Sequence, residues 1–149
     1  MSAAQNKKDI RTLLKDYGLR YSTPRAAILR CLRERDMHVS AETLHQILSD
    51  RGEDLSLSTL YLNLGVLREA GLVRELRGVR GEAIYDSNTH DPHYHLICKR
   101  SGQVVDVPAI NIDGIPLGQF LKNKIEAATG WVVEEPEISL RGESPDTAE

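Results

Sequence analysis

Apolar residues along the first seventy positions recur with the period of an α-helix, in four separate stretches. Over 9–17, Ile10, Leu13 and Leu14 stand at i, i+3 and i+4, and Gly18 ends the run. Thr23-Pro24 reads as an N-cap followed by proline at the first helical position, and Ile28, Leu29 and Leu32 give the helix behind it an apolar face. Ser40 caps a third helix with Leu44, Ile47 and Leu48, ending near Gly52. Ser56 or Ser58 opens a fourth, with Leu60, Leu64 and Leu67 on one side and Gly71 at its end. The pattern then changes. Residues 72–76 and 82–86 read as strands around Gly78-Val79-Arg80-Gly81, a hairpin turn with an arginine at its tip.

Helices followed by a β-hairpin are the order of a winged helix-turn-helix. The helix before the hairpin is then the recognition helix and the hairpin the wing. The remainder is mixed. Residues 95–98 and 103–107 flank Lys99-Arg100-Ser101-Gly102 as a second hairpin. A helix runs from about Leu117 to Thr129 with Phe120, Leu121 and Ile125 apolar and Gly130 as its stop, and 131–133 and 138–140 read as the last strands. The expected class is α+β: a winged helix over 1–84, a hinge over 85–92, an α/β domain over 93–141 and a disordered, polar tail over 142–149.

Charge divides the chain at the same place. The net charge of −3 is the sum of about +4 over 1–81 and about −7 over 82–149, so the first half suits phosphates and the second does not. No stretch approaches the ~18 consecutive apolar residues of a membrane span, and the first residues hold no apolar signal core. Two cysteines, Cys31 and Cys98, without a CxxC, point to a reducing, cytoplasmic compartment and cannot supply a four-thiolate zinc site from one chain.

Candidate chemistry gathers around the expected hinge. Of five histidines, three fall among residues 90–95 and are interleaved with carboxylates. His93 and His95 form an HxH pair, and on a strand such residues share a face. If Arg100-Ser101 is the loop of the second hairpin, His95 lies opposite Asp106, and a slip of one residue would turn Asp106 away. Asp86 ends the wing strand, and His38 precedes the Ser40 cap. Three imidazoles and two carboxylates suit Fe²⁺ or Mn²⁺ and also accept Zn²⁺. His90, Asp91 and His45 are left outside this set.

These residues resemble the ferric uptake regulator family over about 9–141. The resemblance rests on Leu19-Arg20-Tyr21-Ser22-Thr23-Pro24-Arg25, His38-Val39-Ser40-Ala41-Glu42, Ser58-Thr59-Leu60-Tyr61, Leu67-Arg68-Glu69-Ala70-Gly71-Leu72-Val73, Tyr85-Asp86 and His93-Tyr94-His95-Leu96-Ile97-Cys98. It implies a homodimeric, metal-dependent transcriptional repressor on a palindromic A·T-rich operator, with 93–141 as the dimerisation domain and His38, Asp86, His93, His95 and Asp106 as ligands of Mn²⁺ or Fe²⁺. Asp at both carboxylate positions is similar to the peroxide-sensing subgroup, in which His38 or His93 would be oxidised. Manganese-responsive members share the architecture, so supply sensing without oxidation stays open.

The resemblance further implies DNA contacts by Ser58, Thr59, Tyr61 and Asn63 in the major groove and by Arg20 in a narrow minor groove. The chain departs from the family's pattern in three places. Cys98-Lys99-Arg100-Ser101 stands where a zinc-binding CxxC is usual and the C-terminal CxxC is missing, so no structural zinc is expected and apolar packing holds the dimer. Pro92 and Tyr94 occupy positions of a second metal site, of which Asp113 would be a remnant, and 111–118 looks inserted. Leu62 stands where an arginine is usual. A small non-haem metalloenzyme is the alternative of another class, but no nucleophile or substrate motif accompanies the ligands.

Overall fold

The computed structural model describes residues 9–34, 37–87, 89, 94–134 and 136–145. They fall into two compact units, one within 1–90 and one within 91–149. His93, the hinge residues Asn88, His90, Asp91 and Pro92, and residues 146–149 lie outside the described residues.

In the first unit the helical stretches form α1 (Ile10–Asp16), α2 (Thr23–Glu34), α3 (Ala41–Asp50) and α4 (Leu57–Glu69). Serine caps set the boundaries. Ser40 Oγ accepts from the Thr43 amide and Ser56 Oγ from the Thr59 amide, each satisfying an orphan donor. The α2 cap is a correction. Ser22, not Thr23, accepts the Arg25 amide at 3.2 Å, and Thr23 and Pro24 both lie in the first turn. Proline fits there because the early amides of a helix have no intrahelical acceptor. Leu14, Ile28, Leu29, Leu32, Leu44, Leu60, Leu64 and Leu67 are all fully buried and form one core.

The wing is β1 (Arg74–Arg77) paired antiparallel with β2 (Ala83–Asp86). Leu72 and Val73, expected in the first strand, are instead spent on leaving α4. Gly71 adopts φ 84° and both following amides return to the Leu67 carbonyl. One further contact fixes the site below: Val39 and Tyr85 exchange both backbone hydrogen bonds, at 3.2 and 2.8 Å, outside any named strand.

In the second unit β3 (Tyr94–Cys98) is the centre of a three-stranded sheet. It pairs antiparallel with β4 (Val104–Val107) and parallel with β7 (Ser139–Gly142). Between them lie a two-residue hairpin, β5 (Asn111–Ile112) with β6 (Ile115–Pro116), and α5 (Leu117–Thr129). The apparent insertion is this hairpin. Asp113 at φ 52° and Gly114 at φ 77° form its turn, as Asp-Gly does in a type I′ loop. Two further expectations are corrected. Residues 131–133 form no strand, because the Val133 amide is taken by Glu126 and the Trp131 amide by Thr129. The last strand runs past 140: Gly142 pairs with Cys98 and the Ser144 amide reaches its sulfur, so the start of the expected tail belongs to the sheet.

Candidate metal ligands and nucleic-acid surface

The Val39–Tyr85 bridge sets the first pair of ligands. In an antiparallel bridge the residues next to a bonded pair also oppose one another, so His38 faces Asp86 across it. His38 Nε2 lies 3.4 Å from Asp86 Oδ2. The Asp86 side chain is wholly buried and that of His38 nearly so. Removing a carboxylate from water is costly unless a cation or strong donors meet it. His38 supplies one such partner, and a divalent cation would supply a stronger one.

The second unit builds a similar pair from register. The Lys99–Gly102 turn closes with Gly102 N–H donating to the Cys98 carbonyl and Cys98 N–H to Gln103, at 2.9 Å each. This places His95 opposite Asp106, as the two-residue loop requires. His95 Nε2 lies 3.5 Å from Asp106 Oδ1, with the imidazole buried and the carboxylate partly open. Both pairs offer imidazole nitrogen and carboxylate oxygen without sulfur, a donor chemistry that fits Mn²⁺, Fe²⁺ or Zn²⁺. Cys98 is buried at the end of β3, where the Ser101 hydroxyl and the amides of Ser101 and Ser144 hold its thiol down to about 6.

The expected nucleic-acid contacts separate. Arg20 and Ser58 are exposed, and Thr59 is half-buried with its hydroxyl accepting from Ser56. Tyr61 is 43% exposed on α4 and donates its hydroxyl hydrogen to Glu42 Oε1 of α3 at 2.6 Å. That bond pushes the Tyr61 phenol up and the Glu42 carboxyl down. Asn63 is different. It is buried at 6% exposure, its amide donating to the Thr59 carbonyl and accepting from Arg25 Nε. Helical spacing explains this: position 63 falls at the edge of the core arc of Leu60, Leu64 and Leu67, whereas Tyr61 and Leu62 point away. Leu62 is 69% exposed.

Sequence reasoning passed over three residues. Glu42 fixes Tyr61, and Arg25 bridges Asn63 to the Arg20 carbonyl. His45 bonds the Leu55 carbonyl at 2.9 Å and so ties α3 to the approach of α4. Arg25 and Glu42 stand in the first turns of α2 and α3, inside motifs already noted, but only tertiary contact reveals what each one holds.

The chain matches the ferric uptake regulator family model over residues 16–138. It is 35% identical over 102 residues to the peroxide-responsive repressor PerR of Staphylococcus epidermidis, a match covering 68% of this chain and 67% of that protein. The PerR of Staphylococcus aureus strain Mu50 is 39% identical over 93 residues, covering 62% of each, so the match spans somewhat under two thirds of that relative. Among solved structures, the Vibrio cholerae ferric uptake regulator superposes with a TM-score of 0.74 at 29% identity, covering 91% of this chain and all of that one. The fold matches that of ferric uptake regulators, which have an N-terminal DNA-binding domain and a C-terminal dimerisation domain, and the chain belongs to the ferric uptake regulator family, whose members are transcriptional regulators rather than enzymes.

Proposed function

We propose that this chain is a metal-dependent, peroxide-responsive repressor that binds a palindromic A·T-rich operator as a homodimer. The observation that carries the reading is the recurrence of one arrangement: in each unit a buried histidine is set against an aspartate by backbone register. His38 and Asp86 from the first unit, and His95 and Asp106 from the second, are taken as ligands of one regulatory divalent ion, with His93 completing the set. A bound divalent ion supplies fixed positive charge and ties together the segments that ligate it. A chain so tied favours the arrangement that the metal binds better, and DNA affinity rises by that difference.

Arg20, Ser58, Thr59 and Tyr61 are the proposed DNA contacts, with Asn63 acting from inside the helix. The dimer is supported by the second unit's surface. Leu96, Val105 and Leu140 oppose one another across the three strands and share a face, each at least 37% exposed. Burying such a row against a second copy needs no structural zinc.

Peroxide sensing is supported by the PerR relatives at 35% and 39% identity. With Fe²⁺ as cofactor, hydrogen peroxide would transfer one oxygen atom to the imidazole of His38 or His93 and leave as water. The test is operator binding, by anisotropy, across Mn²⁺, Fe²⁺ and Zn²⁺ with and without peroxide. Metal-stimulated binding that peroxide abolishes only with Fe²⁺, together with one added oxygen on His38 or His93 by mass spectrometry, supports the reading. Metal-stimulated binding without oxidation leaves a supply sensor and overturns the peroxide part. Binding indifferent to chelator overturns the metal switch.

A further inference from the structure

We infer that Arg25 is a positioning residue that locks the Arg20 loop to α4, so that the loop arginine and the recognition helix meet DNA as one rigid reader. This rests on the reading of α4 as the helix that enters the major groove. Arg25 is the third residue of α2, and its guanidinium reaches in two directions. Nη1 donates to the Arg20 carbonyl at 2.6 Å. Nε donates to Asn63 Oδ1 at 3.2 Å, and Asn63 in turn donates to the Thr59 carbonyl within α4 at 2.9 Å.

Asn63 is therefore the receiving end of a bracket and not a free surface amide. A second contact holds the same loop: the Arg11 guanidinium lies 3.9 Å from the Tyr21 ring centroid. The loop is thus held at the Arg20 carbonyl and at the Tyr21 ring, while the Arg20 side chain itself stays exposed.

The consequence is energetic. A loop arginine that must be ordered on binding loses rotamer and backbone freedom at that moment, whereas an anchored one has already lost it. The planar fork of arginine can meet two acceptors that lie apart; a lysine ammonium keeps the charge but not the fork. That separates positioning from a plain phosphate contact, which lysine would largely preserve.

The experiment starts from duplexes selected out of a randomised-core library by the Mn²⁺-loaded wild-type protein. Wild type, Arg20→Ala, Arg25→Ala, Arg25→Lys and the Arg20→Ala/Arg25→Ala pair are then titrated against the selected duplex. Amide exchange across 19–22 is followed in the free proteins. The expected result is a loss of about tenfold for both Arg25 variants, a double variant no weaker than Arg20→Ala alone, and faster exchange over 19–22 with the α4 core unchanged. Wild-type affinity in Arg25→Lys, additive losses, or unchanged loop exchange in Arg25→Lys would each overturn the inference. If the wild type selects no duplex, the DNA reading fails while the exchange measurement still decides the bracket. Arg25→Lys keeps the comparison intact should Arg25→Ala fold poorly.

Discussion

The two units treat their apolar residues in opposite ways. The first closes a leucine-rich core on itself, and among its described residues the exposed large apolar side chains are Tyr21, Leu57, Tyr61 and Leu62, all on α4 or the loop that Arg25 brackets to it. Among the described residues of the second, only Tyr94, Ile97 and Cys98 are buried hydrophobics, and α5 buries none of its residues. Leu96, Val105, Ile110, Ile115, Ile125, Trp131, Val132 and Leu140 face outward. The first unit is organised as a self-sufficient fold presenting a reading surface. The second leaves much of its apolar surface uncovered, which fits the proposed dimer.

The sharpest way to break this comparison is to remove one leucine from each unit. Leu64→Ala empties a fully buried site in the first core and should lower stability by about 3 kcal/mol, with a melting temperature that does not depend on protein concentration. A concentration-dependent melt for this variant would mean that the first unit is not self-sufficient.

What the units share is a histidine–aspartate pair. If one ion uses both, His38→Ala and His95→Ala should each weaken Mn²⁺ binding by at least about 100-fold, since ligands matter more than their supporting partners. Calorimetric titration reads this directly. Loss confined to one variant would assign the ion to one unit and end the proposed link between them.

Leu140→Asp places a charge in the exposed row of the second unit and should weaken dimerisation by about 30-fold or more, the range of a central interface residue. Sedimentation velocity shows whether the monomer accumulates, and an unchanged dimer would place the interface elsewhere.

A pH-dependent effect belongs to Cys98. Its folded pKa, about 6, lies below the ~8.5 of an unfolded thiol, so its contribution to stability is fully present above ~8.5 and is lost as pH falls through 6. Urea midpoints under reducing conditions should therefore drop across that window in the wild type relative to Cys98→Ser. Parallel curves would show that the thiolate is not favoured in the fold.

Much of this was legible from spacing. The leucines at 60, 64 and 67 and the serines at 40 and 56 are local signals, and the structure keeps them. The opposition of His95 and Asp106 followed from loop length alone, because turn geometry fixes register. What escaped depends on long-range contact. Asn63 looked polar and hence exposed, until Arg25 gave it a half-buried partner thirty-eight positions away. Residues 131–133 have strand-forming side chains, but neighbouring acceptors in α5 take their amides. The first unit was easier to read than the second because its burial follows helical period, whereas the second shows period-two residues with few buried positions to confirm them.

The two reciprocal hydrogen bonds between Val39 and Tyr85 also carry a kinetic meaning. They close a loop that contains α3, α4 and both wing strands, and closing so long a loop is entropically expensive until those elements have packed. On that argument His38 and Asp86 are expected to become neighbours late in folding. A partly folded chain would then present no such pair, and an ion bound there would stabilise finished molecules only. If the proposed regulatory ion uses this pair, the bridge that aligns the two side chains would also confine metal loading, and with it operator binding, to chains that have finished folding.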